Sequence, residues 1–375
     1  MPLTSVPHLS HLKPLISRAK FESQTRISLN SNENPYGCSP LVEEVICSKA
    51  KQVHRYPDGG GLRLRKTLSD QLNWPEELIS LGNGSNELID LLIRAFCRPG
   101  DRIAVEQAGF IAYSHCARIQ AIETVKAPLR EGYQSCLNDL LKLVVTDSSI
   151  KIVFLANPNN PTGTYHSAEA LILFLNEVAR LRGSEVLIVL DCAYLEYVTA
   201  LDFPDPMALL RSFSNLAVLR TFSKIHGLAG LRVGYLLAGK SVIDAVEIMR
   251  QPFNVNTLGM FAAIASCADR EFVLRSRQLN QLGLQFWEKE LGGLGVPFVS
   301  SQANFIFADF EAGWRISGSE VAKLCAREDV SFRTLENYGL PQALRISVGT
   351  EDENITAASV LRRIGEMRWS TLQWS

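Results

Sequence analysis

Between residues 80 and 240 the chain alternates short apolar runs with longer segments of helical spacing. The runs 102–106, 151–156, 185–190, 217–221 and 234–238 have the length and composition of buried strands. The segment 167–182, with Leu171, Leu173, Leu175 and Val178, suits a helix lying between two of them. Such alternation predicts an α/β fold with a mostly parallel sheet covered by helices. In sheets of that kind ligands sit at the carboxyl ends of the strands.

After Gln251-Pro252 the pattern changes. One long helical stretch is expected over 257–291, broken by Gly292-Gly293-Leu294-Gly295. Strands are expected at 303–308 and 344–348, with a helix at 319–328 between them. The expected organisation is a large domain over 46–250 and a smaller α+β domain made of 1–45 and 251–375.

The polar residues that end the apolar runs carry the chemistry. One run stops at Ser223-Lys224, with Arg232 eight residues on; a second stops at Asp191, with Tyr194 three residues later. A third enters Asn157-Pro158-Asn159-Asn160-Pro161-Thr162-Gly163. A lysine amine, a carboxylate, a phenol and an Arg/Ser pair together suit pyridoxal 5′-phosphate, which needs a lysine for its Schiff base and an acid for its ring nitrogen. Gly82-Asn83-Gly84-Ser85-Asn86 precedes a helical run. Gly84, Ser85 and Asn86 there can cradle a phosphate on free N–H groups, and a plain helix cap explains the same residues equally well. Phe110 fits either stacking on the cofactor ring or core packing. Asn157 and Tyr194 are of the right type to hydrogen-bond the ring's phenolic oxygen.

Composition narrows the reading without redirecting it. The 375 residues are 46% hydrophobic and 21% charged, with a net charge of −1. No global field recruits nucleic acid or anionic membrane, and no long uncharged apolar stretch predicts a membrane span. The eight cysteines form no C-x-x-C pair, so reduced thiols in a cytoplasmic protein and no metal site are expected.

In order along the chain, these motifs resemble the fold-type I pyridoxal phosphate enzymes, and within them the histidinol-phosphate aminotransferase family. The residues that carry the resemblance include Asn32-Glu33-Asn34-Pro35-Tyr36-Gly37, Arg55-Tyr56-Pro57-Asp58, Ser223-Lys224 with Leu228-Ala229-Gly230-Leu231-Arg232, and Leu344-Arg345-Ile346-Ser347. The resemblance implies a seven-stranded large domain and Lys224 as Schiff-base lysine and proton shuttle. It implies Asp191 on the pyridinium, and Ser85, Asn86, Ser223 and Arg232 on the phosphate. Tyr56 would reach that phosphate from a second subunit of a homodimer. Arg345, with Asn34 nearby, would clamp the substrate carboxylate, and Arg333 would meet its distal anionic end. The implied reaction moves an amino group from L-histidinol phosphate, or next a non-phosphorylated aromatic or cationic amino acid, to a 2-oxo acid such as 2-oxoglutarate. The same residues suit elimination, cyclisation or decarboxylation of an amino acid, and a non-catalytic protein that binds the cofactor is the remaining alternative. Leu15 departs from the family: it stands where a tyrosine would donate to the substrate phosphate, and leucine has no donor.

Overall fold

Strands buried along their whole length cannot lie on an open sheet face, and here the central strands show no exposed position. The computed structural model describes residues 7–9, 12 and 26–372, with side chains to residue 367. In chain order its strands are β1 (Ile27–Leu29), β2 (Ile79–Gly82), β3 (Arg102–Glu106), β4 (Glu123–Ala127), β5 (Ile150–Ala156), β6 (Leu187–Asp191), β7 (Leu216–Thr221), β8 (Gly234–Ala238), β9 (Phe298–Val299), β10 (Phe305–Asp309), β11 (Val330–Thr334) and β12 (Ala343–Ser347). Seven of them form a sheet in the order β2-β8-β7-β6-β5-β3-β4. All pairings from β7 to β4 are parallel, and β8 runs against both neighbours.

Each face of that sheet has its own core. Along β6, Ile188 and Leu190 join one cluster while Leu187 and Val189 join the other. The same alternation places Val153 and Leu155 opposite Ile152 and Phe154 on β5. Each fully buried aliphatic side chain contributes roughly 1.5–3 kcal/mol, so the strand ends are held rigidly. That rigidity matters because Asp191, Asn160 and Lys224 all stand at or just beyond those ends.

The five-stranded sheet, β1-β11-β12-β10-β9, encloses a third core around Trp287, Phe310 and Leu361. Its β1 supplies the only parallel pairing in that sheet among the described residues. The helix expected over 257–291 is two helices, Thr257–Ala268 and Arg270–Gly293. Asp269 separates them: its carboxylate accepts from Phe272 N at 2.9 Å and from Ser39 Oγ at 2.5 Å, capping the second helix, while its own N–H donates to Ser266 O and closes the first. Two elements expected with the small domain pack elsewhere. Val42 of helix Pro40–Lys49, and Met260, Ala262 and Ala263 of Thr257–Ala268, belong to the core under the large sheet.

All eight cysteines are free thiols; Cys192 is buried, and burial raises its pKa, so it is held protonated. Among the described residues no helix is long and apolar enough to cross a membrane.

Candidate active site

A cavity of about 270 Å³ opens where the ends of β5, β6 and β7 face the small sheet. Of the residues expected at the site, Ser85, Asn86, Phe110, Asp191, Tyr194, Ser223, Lys224, Arg232, Arg333 and Arg345 line it.

One corner suits a dianion. Ser85 opens the helix Ser85–Phe96, so its first amides have no partner within the helix. Gly84 has φ +76°, and a Cβ there would lie 2.3 Å from Arg232 Nη2, so only glycine lets the guanidinium close over this turn. Arg232 Nη1 donates to Ser223 Oγ at 3.2 Å, and Thr221 Oγ1, which the sequence did not single out, lies 3.0 Å from the same oxygen.

The cavity floor carries the acid and the amine. Asp191 closes β6; its Oδ1 accepts from Ala193 N at 3.1 Å and its Oδ2 accepts from the Tyr113 hydroxyl at 2.8 Å. Burial pushes its carboxyl up to about 6, opposed by those donors and by Lys224. Lys224 Nζ donates to Ser31 O at 3.0 Å and lies 5.8 Å from the centre of the Tyr194 ring. Removal from water, and then the nearby Arg345 charge, lower its ammonium to about 7. Lys224 is therefore substantially a free amine at neutral pH. The loop carrying it is fixed by Gly227, with φ +69°, where a Cβ would meet Gly37 O at 1.9 Å. The Tyr194 hydroxyl accepts from Asn32 Nδ2 at 2.9 Å, and burial raises its phenol to about 12.

Two expected residues are displaced by neighbours in sequence. Asn157 does not line the cavity. Its Nδ2 donates to His166 O at 3.1 Å and its Oδ1 accepts from His166 N at 2.8 Å, so both ends of the amide are used inside the loop. Asn160, three residues on, lines the cavity instead and accepts from Arg345 Nη1 at 2.5 Å. Asn34 likewise turns away, donating to Ile225 O at 2.7 Å and Ser276 Oγ at 3.1 Å. Asn30 and Asn32 line the cavity in its place. Alternation along an extended segment would put Asn30, Asn32 and Asn34 on one face; the left-handed Asn32, with φ +55°, breaks that alternation before Asn34. Tyr56 is 83% exposed, stacked on Phe253 at 4.8 Å, and remote from its own chain's cavity. Leu15 lies outside the described residues.

The small sheet supplies the opposite wall. Arg333 and Arg345 are paired across β11 and β12, so two guanidinium groups face one space. Arg345 Nη2 donates to Asn30 O at 2.7 Å, its plane sits 5.3 Å from the Phe305 ring, and its buried Nε has no partner. Among the described residues neither arginine has a carboxylate in salt-bridge range. Burial lowers the Arg345 pKa, the sign of a cation held without its counter-charge.

Comparison with known proteins agrees with this geometry. Residues 24–361 match the family model described as aminotransferase class I and II. A histidinol-phosphate aminotransferase of Anaeromyxobacter sp. (strain Fw109-5) is 40% identical over 97% of this chain and 99% of its own. The histidinol-phosphate aminotransferase of Bacillus subtilis (strain 168) is 37% identical over 95% of this chain and 98% of its own. The crystal structure of histidinol-phosphate aminotransferase from Sinorhizobium meliloti in complex with pyridoxal 5′-phosphate superposes with a TM-score of 0.87 at 25% identity, covering 97% of this chain and 98% of that one. The residues present fit that cofactor. The corner of Gly84, Ser85, Ser223 and Arg232 matches a phosphate, the buried Asp191 a ring nitrogen, and the free amine of Lys224 an aldehyde.

Proposed function

The chain belongs to the class I and II aminotransferases, enzymes of pyridoxal 5′-phosphate, and from that premise we propose that it transfers the amino group of L-histidinol phosphate to 2-oxoglutarate. The observation that supports this choice is the pair of guanidinium groups, Arg333 and Arg345, standing in one cavity without a carboxylate partner. The two substrates must alternate in the same space. One carries a phosphate and the other two carboxylates, and a pair of cations serves both.

When bound, the cofactor supplies an aldehyde that captures the amine and a protonated ring that draws electrons from the substrate Cα. The residues around it do the rest. Ser85, Asn86, Ser223 and Arg232 would hold the phosphate, and Phe110 would cover one face of the ring. Asp191 would keep the ring nitrogen protonated. The Tyr194 hydroxyl, pinned by Asn32, would meet the phenolic oxygen, and Asn160 lines the same cavity where Asn157 does not. Arg345 takes the carboxylate of the oxo acid through its two Nη groups, and Arg333 the distal anion. In the half-reaction of the amine donor the neutral Nζ of Lys224 would take the proton from the carbon that bears the amine, and in the half-reaction of the oxo acid the resulting ammonium would return a proton to its Cα.

The exposed stack of Tyr56 on Phe253, with Val53 62% and Leu62 64% exposed nearby in sequence, supports a homodimer in which Tyr56 completes the phosphate site of the partner. Light scattering of the holoprotein tests this: the reading requires a dimer mass.

The substrate test is direct. Purified holoprotein is incubated with 2-oxoglutarate and a panel of amino donors that includes L-histidinol phosphate, and glutamate is measured. L-Histidinol phosphate is expected to give the highest kcat/KM. Turnover of another donor with none of L-histidinol phosphate overturns the substrate; product formed in excess of the bound cofactor without any oxo acid overturns amino transfer.

A further inference from the structure

The hydroxyl of Tyr113 is the one side-chain donor on Asp191 among the described residues. Tyr113 is 1% exposed and by its spacing reads as core. Its ring is stacked on Phe154 with centroids 4.8 Å apart and 11° between planes, so the phenol has no freedom to swing away. Three residues earlier, Phe110 begins the same helical turn and meets Tyr113 edge-on at 5.7 Å. The first turn of helix Ile111–Ile119, with Phe110 at its cap, thus carries both the ring proposed to cover the cofactor and the donor on Asp191.

We propose that Tyr113 is a positioning residue for the cofactor ring. Its hydroxyl fixes the Asp191 carboxylate in orientation and keeps it in the charged form that pairs with the protonated pyridine nitrogen. This rests on Asp191 facing that nitrogen, as set out under the proposed function.

The physical case starts from burial. A carboxylate withdrawn from water prefers to be neutral, and a neutral acid cannot pair with a pyridinium. Each donor aimed at the charged form opposes that preference. Asp191 has two from the protein, a backbone amide on one oxygen and the phenol on the other. The groups that face this pair are Lys224 from the segment after β7, Tyr194 and Cys192 from Asp191's own segment, and Glu106 from the end of β3 beside Tyr113. Of these only Lys224 favours the Asp191 charge, and its charge is itself weakened by burial. Tyr113 therefore supplies a restraint that no neighbour duplicates. The phenol keeps its own proton, because burial and the adjacent Asp191 both raise its pKa. It donates and does not exchange.

The test uses holoprotein and the visible absorbance of the bound cofactor as a function of pH. A charged Asp191 holds a proton on the ring nitrogen, and the ring's positive charge makes the nitrogen joined to Lys224 less basic. Tyr113→Phe keeps the stacked ring and removes only the donor. Its spectral midpoint is expected to rise by about one unit, the size of one hydrogen bond to a charged group. Cofactor loss on dialysis at pH 6 is expected to quicken several-fold relative to pH 8. Incorporating 3-fluorotyrosine at position 113 keeps the contact and strengthens the donor, so the midpoint is expected to fall. This second arm also decides the matter should Tyr113→Phe fail to fold. A midpoint that moves in neither protein overturns the inference. Asp191→Asn separates the two levels: an unchanged spectrum in that variant contradicts the pairing of Asp191 itself, whereas a changed one with a silent Tyr113 contradicts only the role of Tyr113.

Discussion

On the floor of the cavity, built by the large sheet, each charged group meets a partner from its own chain. Asp191 accepts from Tyr113 and Ala193, Arg232 donates to Ser223 and Ala229, and Lys224 donates to Ser31. On the opposite wall, built by the small sheet, Arg345 is buried, and among the described residues its Nε has no partner and neither it nor Arg333 has a carboxylate in salt-bridge range. The first pattern suits a group held through many turnovers, for which the site is finished in advance. The second suits anions that come and go. A buried guanidinium without its counter-ion is costly, on the order of several kcal/mol, and an arriving carboxylate or phosphate offsets that cost.

Substitutions on the floor should therefore disturb the cofactor, and those on the wall the substrate. The largest effect is expected for Lys224→Ala, which removes both the covalent anchor and the proton carrier. Its turnover should fall on the order of 10⁴-fold or more, measured as single-turnover rates. Arg345→Ala comes next. It should lower kcat/KM for 2-oxo acids by about 10²- to 10³-fold. The cofactor spectrum should stay as it was, and the melting temperature of the apoprotein should hold or rise, because a lone buried cation has gone. A wall variant that lost the cofactor would break the comparison.

Protonation sharpens the same contrast. Lys224 is lowered to about 7 from the usual lysine range, so below pH 7 it is protonated and above it is nucleophilic. Attachment of pyridoxal phosphate to apoprotein, followed by absorbance, should therefore accelerate as pH rises to 7 and level off beyond. The sign for stability is parallel: the unfolded chain binds this proton more tightly than the folded one, so folded apoprotein gains stability between pH 7 and the ordinary lysine range.

The two loop asparagines separate function from support. Asn160→Ala should reduce kcat/KM with little change in melting. Asn157→Ala should cost stability by roughly 1–3 kcal/mol, because it leaves the peptide groups of His166 unpaired in a buried loop. The smallest effect is expected for Tyr56→Phe, about tenfold weaker cofactor retention at most, and only in the dimer.

How much of this was legible in the sequence follows the same line. The floor is local: strand, terminal polar residue and turn are contiguous, so the runs 185–190 before Asp191 and 217–221 before Lys224 are readable from periodicity and chemistry. The strand expected at 234–238 coincides with β8. The wall is assembled from segments up to 315 residues apart, as in the contact of Arg345 with Asn30, and periodicity says nothing of that. The resemblance points to Asn157 and Asn34, but the same motifs offer several asparagines of identical chemistry. Which one faces the cavity depends on loop torsions, such as the left-handed Asn32, that composition does not encode. Tyr113 was invisible for another reason: an aromatic at a buried helical position looks like core until its hydroxyl is seen on Asp191. The break at Asp269 had a local signal, an aspartate before a new helical turn, that the continuous apolar spacing on either side concealed.

Reduction of the holoprotein with borohydride, followed by peptide mass mapping, tests the central assignment most directly. The structure predicts the reduced pyridoxyl group on the Nζ of Lys224, in the peptide that follows β7. Recovery of the label on another lysine, or of an unlabelled peptide from protein that had held its cofactor, would contradict it.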